Sequence, residues 1–177
     1  MPITPFHLGP GAVFKAIGGR HFSFMVFGGS QVLMDLEPLY GIMMGWLELH
    51  GYSHTLAGAI AIGTVAGLVG KPISEWVLDW LKVPRYPLSW RASFTAAYLG
   101  TLSHIVLDGV MHGDMRPWWP LSDRNGLLSF LTIPELHAYC AISGVAGGAF
   151  VGWWFWRKGR AERMLNDLAV RCPHRTP

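Results

Sequence analysis

The chain is poor in charge. Of its 177 residues only 14% are Asp, Glu, Lys or Arg, whereas a soluble domain averages roughly 25%. With a mean hydropathy of +0.30, that depletion argues against an ordinary soluble domain and for a polytopic membrane protein. Cysteine is also scarce. Cys140 and Cys172 stand far apart, which gives no ligand pair and excludes a disulfide framework. Cys140 lies in an apolar run and reads as a buried, inert thiol. No Cys-x-x-Cys-His occurs, which counts only against covalently attached haem. Met1 to Phe6 has neither a basic n-region nor a small-residue cleavage pattern, so no cleavable signal peptide is expected. The net charge of +3 is modest, and no nucleic-acid partner is expected from it. The cations at Arg157, Lys158, Arg160 and Arg163 directly follow an apolar run and read as positive-inside flanking.

What is abundant is apolar, small and aromatic: 51% hydrophobic residues, 22 Gly and 9 Trp. The expected fold is all-α, an integral membrane bundle of about four to five membrane-associated helices. It forms one domain over 1–177, with a basic polar tail over 157–177. Leu8–Ile17 is a short segment ending at Gly18-Gly19. Phe22–Met34 is expected to end at Asp35, and Pro38 to open a separate interfacial helix to Leu49. Thr55–Val69 is rich in small residues that let helices approach closely, and Gly70-Lys71-Pro72 is expected to stop it, before an interfacial Ile73–Leu81. Ala92–Leu107 and Leu136–Trp156 complete the set. A span needs about 20 apolar residues, and on this reading only Leu136–Trp156 meets that comfortably. A soluble helical bundle is the alternative for the shorter segments.

If the last helix ends inside at Arg157-Lys158, the alternation of spans places Lys82, Arg85, Arg91, Lys71 and Arg20 at inner ends. His7, Asp35, His54, His104 and Asp108 then fall near the outer ends. The expected location is the inner (cytoplasmic) membrane, with the C-terminus cytoplasmic and the site near the outer face.

His104-x-x-x-Asp108-x-x-x-His112 runs along one side of an otherwise apolar stretch. A four-residue step is slightly more than one helical turn, so these side chains stack on one face. Imidazole and carboxylate are what a divalent metal takes from a helix, and in an apolar segment they are costly unless something binds them. The candidate metal ligands are His7, Asp35, His54, His104 and Asp108. Glu37, or a hydroxide, is the candidate base. Arg116, in Gly113-Asp114-Met115-Arg116-Pro117-Trp118-Trp119-Pro120, is the candidate partner of an anionic substrate group. His50 can stand behind His54, and whether His112 and His137 join is open. His174 lies in the polar tail.

These residues bear a family resemblance. His50-Gly-Tyr-Ser-His-Thr55 resembles the His-Arg-Gly-x-Thr-His-Ser element of the LexA-binding inner-membrane metal-dependent hydrolase family. Gly100-x-x-Ser103-His104-x-x-x-Asp108, followed by Trp118-Trp119-Pro120, resembles its Gly-x-x-Ser-His-x-x-x-Asp…Trp-Pro. Asp35-Leu36-Glu37 stands where the family carries Pro-Asp-x-Asp, with Met34 in place of the proline and Glu37 in place of an aspartate; His7 matches an early histidine. The resemblance covers about positions 1 to 125. That family is distantly similar to zinc-dependent phospholipase C and fungal single-strand nucleases, which implies phosphodiester hydrolysis.

The expected function is therefore a membrane-bound, metal-dependent hydrolase with zinc as its metal, the lipid bilayer as its surroundings and a small anionic or lipid-like phosphoester as its substrate. Two alternatives use the same residues: a non-catalytic metal-binding membrane protein, and a bis-histidine haem protein indifferent to Asp35 and Asp108.

Overall fold

The computed structural model describes residues 6–83 and 87–171, with only the helical backbone given for 162–171. Arg85, Cys172 and His174, and the side chain of Arg163, lie outside the described residues. The chain is all-α. Its helices are α1 (Leu8–Gly18), α2 (Phe24–Met44), α3 (Leu56–Trp80), α4 (Trp90–Met111) and α5 (Ile133–Arg171).

Three of the helix starts follow from local chemistry. Ser23, Thr55 and Ser89 are N-caps whose hydroxyls accept from the backbone N–H of Val26, Gly58 and Ala92. Each satisfies a donor that the first turn leaves without a helical partner. α2 ends at Gly45, whose φ of +71° is the left-handed conformation that favours glycine at this position.

The helix ends correct the sequence reading. α2 does not stop at Asp35 but runs through Pro38 to Met44, so no separate 38–49 helix exists. α3 runs through Gly70-Lys71-Pro72 to Trp80, merging the two segments expected there. An internal proline costs about 3 kcal/mol because it removes one hydrogen bond and crowds the preceding turn, yet packing outweighs it here. The Met34 carbonyl, which Pro38 deprives of its helical N–H, has the Ser53 hydroxyl 3.4 Å away. Around Pro72, Ser93 donates to the Gly67 carbonyl at 2.7 Å, and Gly70 lies against Val26. Among the described residues three helices, not one, are long and apolar enough to cross a membrane: α3, lengthened through Pro72, α4 and the Ile133–Ala161 part of α5.

α4 is the central element, with the most buried positions. It packs with α2 and α3 as a three-helix core, while α1 joins α5 to that core. The crossings are close because glycine lies in them. A Cβ at Gly100 would sit 2.0 Å from the Ser30 hydroxyl, and one at Gly9 would sit 2.0 Å from the Cys140 carbonyl. Apolar side chains also cover the outside: Ile60, Val65, Leu68, Ile73 and Trp76 of α3 and Ile142, Val145 and Phe155 of α5 are exposed. That is the surface a bilayer requires and water penalises. α5 continues as helix through 157–171, the stretch read from sequence as a polar tail.

Candidate metal centre

Four elements converge at one end of the bundle. His7 immediately precedes α1, and His54 immediately precedes the N-cap of α3. His104 and Asp108 occupy the last turns of α4, while Asp35 projects from the middle of α2. Their side chains meet. His54 Nε2 and His104 Nε2 are 3.2 Å apart. Asp108 Oδ2 lies 3.1 Å from His104 Nε2 and 3.4 Å from His54 Nε2, and Asp35 Oδ1 lies 3.2 Å from His104 Nε2. His7 Nε2 approaches Asp108 Oδ1 at 3.1 Å. All five residues expected from the sequence as metal ligands are thus in one place. His7, His54, His104 and Asp108 are buried, and Asp35 is about one-third exposed.

The surrounding hydrogen bonds assign the imidazole tautomers. Ser53 Oγ donates to the Glu37 carboxylate in a very short hydrogen bond, and its single proton is thereby used. It must then accept from His54 Nδ1, 2.8 Å away. On the other ring, Gln31 turns its amide nitrogen to Ser103 Oγ, whose own proton goes to the Gly100 carbonyl. The Gln31 carbonyl oxygen therefore faces His104 Nδ1 and accepts from it. With both Nδ1 atoms protonated, the rings in their neutral forms would aim their Nε2 lone pairs at each other and at two carboxylates. Acceptors facing acceptors need positive charge between them. A proton on His104 would serve only the contacts of that ring, whereas a divalent cation serves the whole set. His7 points the same way: neither ring nitrogen has a hydrogen-bond partner among the described residues, although Nε2 is in contact with Asp108. Asp35, His54, His104 and Asp108 can each offer one donor atom within 4.8 Å of the others, so the residues present fit a nitrogen- and oxygen-liganded metal.

A second donor group adjoins the first and shares Asp108, with His50 and His112 as its other members. The His50 and His112 rings stack at 4.1 Å. Asp114 fixes His50, accepting from its backbone N–H at 3.2 Å and lying 3.0 Å from its Nδ1. Burial pushes the Asp114 carboxyl upward, but these hydrogen bonds outweigh it and hold the group below the usual carboxylate range. Burial also lowers His54 and His112 from the ordinary imidazole value, despite nearby Asp108. A lowered value favours the neutral ring, the form that ligates a metal.

The remaining sequence candidates lie outside these donor groups. Glu37 accepts from both Ser53 N and Ser53 Oγ, and glycine at 51 makes room for it, since a Cβ there would sit 2.4 Å from Glu37 Oε1. Arg116 is half-exposed on the 112–132 loop, 3.9 Å from Asp123 Oδ1. Its neighbours anchor that loop: Met115 packs against Met34, Ala59 and Ile105, and the Pro117 carbonyl accepts from Leu56 N. His137 stacks on Phe6. His54 and His104 do not suit the haem alternative as a pair, because rings with Nε2 atoms 3.2 Å apart leave no slot for a macrocycle between them. Ser53 and Gln31 were not identified from sequence. Gln31 carried a signal, since an amide inside an apolar helix four residues before Asp35 demands a partner.

No curated protein and no solved structure matches the chain significantly. A family model described as YdjM inner membrane protein matches residues 15–168, a range that holds every candidate ligand except His7. The chain belongs to the YdjM inner membrane protein family.

Proposed function

We propose that the protein is a membrane-bound, metal-dependent phosphoester hydrolase whose centre is formed by His7, Asp35, His54, His104 and Asp108. The observation that carries this reading is the convergence of two fixed Nε2 lone pairs and two carboxylates on one buried point. Two imidazoles and two carboxylates suit zinc. These residues would hold a divalent cation, which would supply a bound water with a pKa lowered toward about 7 and a Lewis acid for a phosphoryl oxygen. His54 and His104 present their lone pairs, and Asp108 spans both donor groups, as paired-ion hydrolytic centres require. Asp35, the exposed member, marks the side from which water and substrate arrive. Glu37 acts at one remove, holding Ser53 and through it the ring of His54. Arg116 stands on the loop beside the centre, where its guanidinium meets the anionic group of a small or lipid-like substrate. The positive-inside tendency puts the Arg157-Lys158 end in the cytoplasm and the metal centre near the outer face.

Metal analysis of detergent-purified protein beside His104→Ala and Asp108→Ala tests the centre; the wild type is expected to hold zinc that both variants lose. Full stoichiometry in both variants would overturn the reading. Phosphodiester turnover tests the activity, and a metal-loaded wild type no faster than a metal-free blank would leave a non-catalytic metal protein.

A further inference from the structure

The end of the bundle away from the metal centre carries a different chemistry. Where α1 runs out beside the apolar part of α5, the two helices enclose a cleft of about 590 Å³. Its wall is apolar and aromatic, with Phe150, Trp154 and Phe155 from α5. Its cations are Lys15, Arg20 and Lys158, and among the described residues no acidic side chain lines it. Lys15 is held in place, its ammonium donating to the Gly19 and Phe22 carbonyls at 2.8 and 2.9 Å. An ammonium has three protons, so this anchoring leaves one more to donate. Among the described side chains of α5, Arg157 lies over the Trp153 ring and Arg160 over the Trp156 ring.

We propose that this cleft binds an anionic phospholipid, with its phosphate among Lys15, Arg20 and Lys158 and its acyl chains along Phe150, Trp154 and Phe155. The two halves of the cleft select the ligand together. Free phosphate makes no use of an aromatic wall, and a zwitterionic lipid brings its own cation to a site that already has three. Basic pockets between membrane helices recognise headgroups in this manner, each cation contributing roughly fivefold in affinity. The inference is independent of the metal centre, which lies at the opposite end of α1.

The test is thermal unfolding of the full chain in neutral detergent with added phosphatidylglycerol, phosphatidylcholine or inorganic phosphate. The wild type is expected to be stabilised by phosphatidylglycerol alone. Arg20→Ala with Lys158→Ala is expected to weaken that response about 25-fold in lipid concentration, from roughly fivefold per cation. Arg157→Ala with Arg160→Ala removes equal charge from outside the cleft and is expected to retain the response. Lipid copurifying from native membranes, read by mass spectrometry, gives a second measurement on the same variants. Equal stabilisation by phosphatidylcholine, an equal response to phosphate alone, or an undiminished response in the first double variant would overturn the proposal.

Discussion

Ser53→Ala isolates the tautomer argument, because Ser53 touches no metal in the proposed centre. In the wild type its hydroxyl proton is committed to Glu37 and its lone pair receives His54 Nδ1–H. Alanine removes that acceptor and leaves a buried N–H without a partner, a cost of about 1–3 kcal/mol. The ring has an inexpensive escape: the proton moves to Nε2, which is 3.4 Å from Asp108 Oδ2. The lone pair then points away from the centre, and metal binding must first reverse the tautomer. Removing such a supporting group typically lowers metal affinity 10- to 100-fold, equivalent to about 1.4–2.8 kcal/mol. The expected result is a zinc affinity weaker by that factor in competition with a chromophoric chelator. Ser53→Thr, which keeps the hydroxyl, should restore most of it. The stoichiometry at saturating zinc should be unchanged, since no ligand has been removed. If Ser53→Ala binds zinc as tightly as the wild type, the assigned tautomer is wrong and the argument from converging lone pairs fails with it.

Other outcomes follow from the same geometry. Gly100→Ala places a methyl group 2.0 Å from the Ser30 hydroxyl and 3.0 Å from the Phe27 carbonyl; separating α2 from α4 should cost about 1–3 kcal/mol, read as a lower Tm, and should weaken zinc binding by drawing Gln31 from His104. Gly9→Ala meets the Cys140 backbone at 2.0 Å, so it should shift the start of α1 and reduce zinc affinity through His7; unchanged Tm and affinity would refute the α1–α5 crossing. Arg116→Ala should raise KM for an anionic phosphodiester while leaving bound zinc unchanged, and an unaltered KM would remove Arg116 from substrate binding. Carbonate washing should leave the chain in the membrane fraction, because apolar side chains on α3 and α5 are exposed among the described residues; release without detergent would contradict the membrane reading.

The parts of this molecule that were legible in the sequence are those whose physics is local. Thr55 stands at the expected start of α3, and it caps that helix because a hydroxyl placed before an apolar run reaches the N–H three residues on. His104 and Asp108 were recognisable as a pair because a four-residue step on one helix settles their proximity without reference to the rest of the chain. Their convergence with His54 and Asp35 was reachable at one remove, from the alternation of spans. The misplaced helix ends have the converse explanation. Pro38 and Pro72 are local penalties of fixed size, but their outcome depends on what packs around the broken turn, and neither the Ser53 hydroxyl near Met34 nor the Ser93 hydroxyl on Gly67 is close in sequence.

Ser53 and Gln31 went unrecognised for the same reason, and Glu37, read from sequence as the candidate base, shows most clearly what spacing leaves open. As an acidic residue two positions from Asp35 it reads as a catalytic carboxylate, because sequence spacing reports distance along α2 and not direction. One helical residue is a rotation of about 100°, so Asp35 and Glu37 leave α2 about 200° apart. Asp35 turns toward α4 and His104, whereas Glu37 turns toward the 50–53 turn, where glycine at 51 makes room for its carboxylate. The same acidic pair thus reaches the centre by two routes, one direct and one through Ser53. Replacing Glu37 by Gln separates the roles. An amide still accepts from Ser53 but brings no charge, so zinc affinity should fall less than with Ser53→Ala, whereas a base in the reaction would lose kcat by a factor of 10² or more. A large kcat loss at unchanged zinc affinity would return Glu37 to the chemistry and overturn its assignment as a positioning residue.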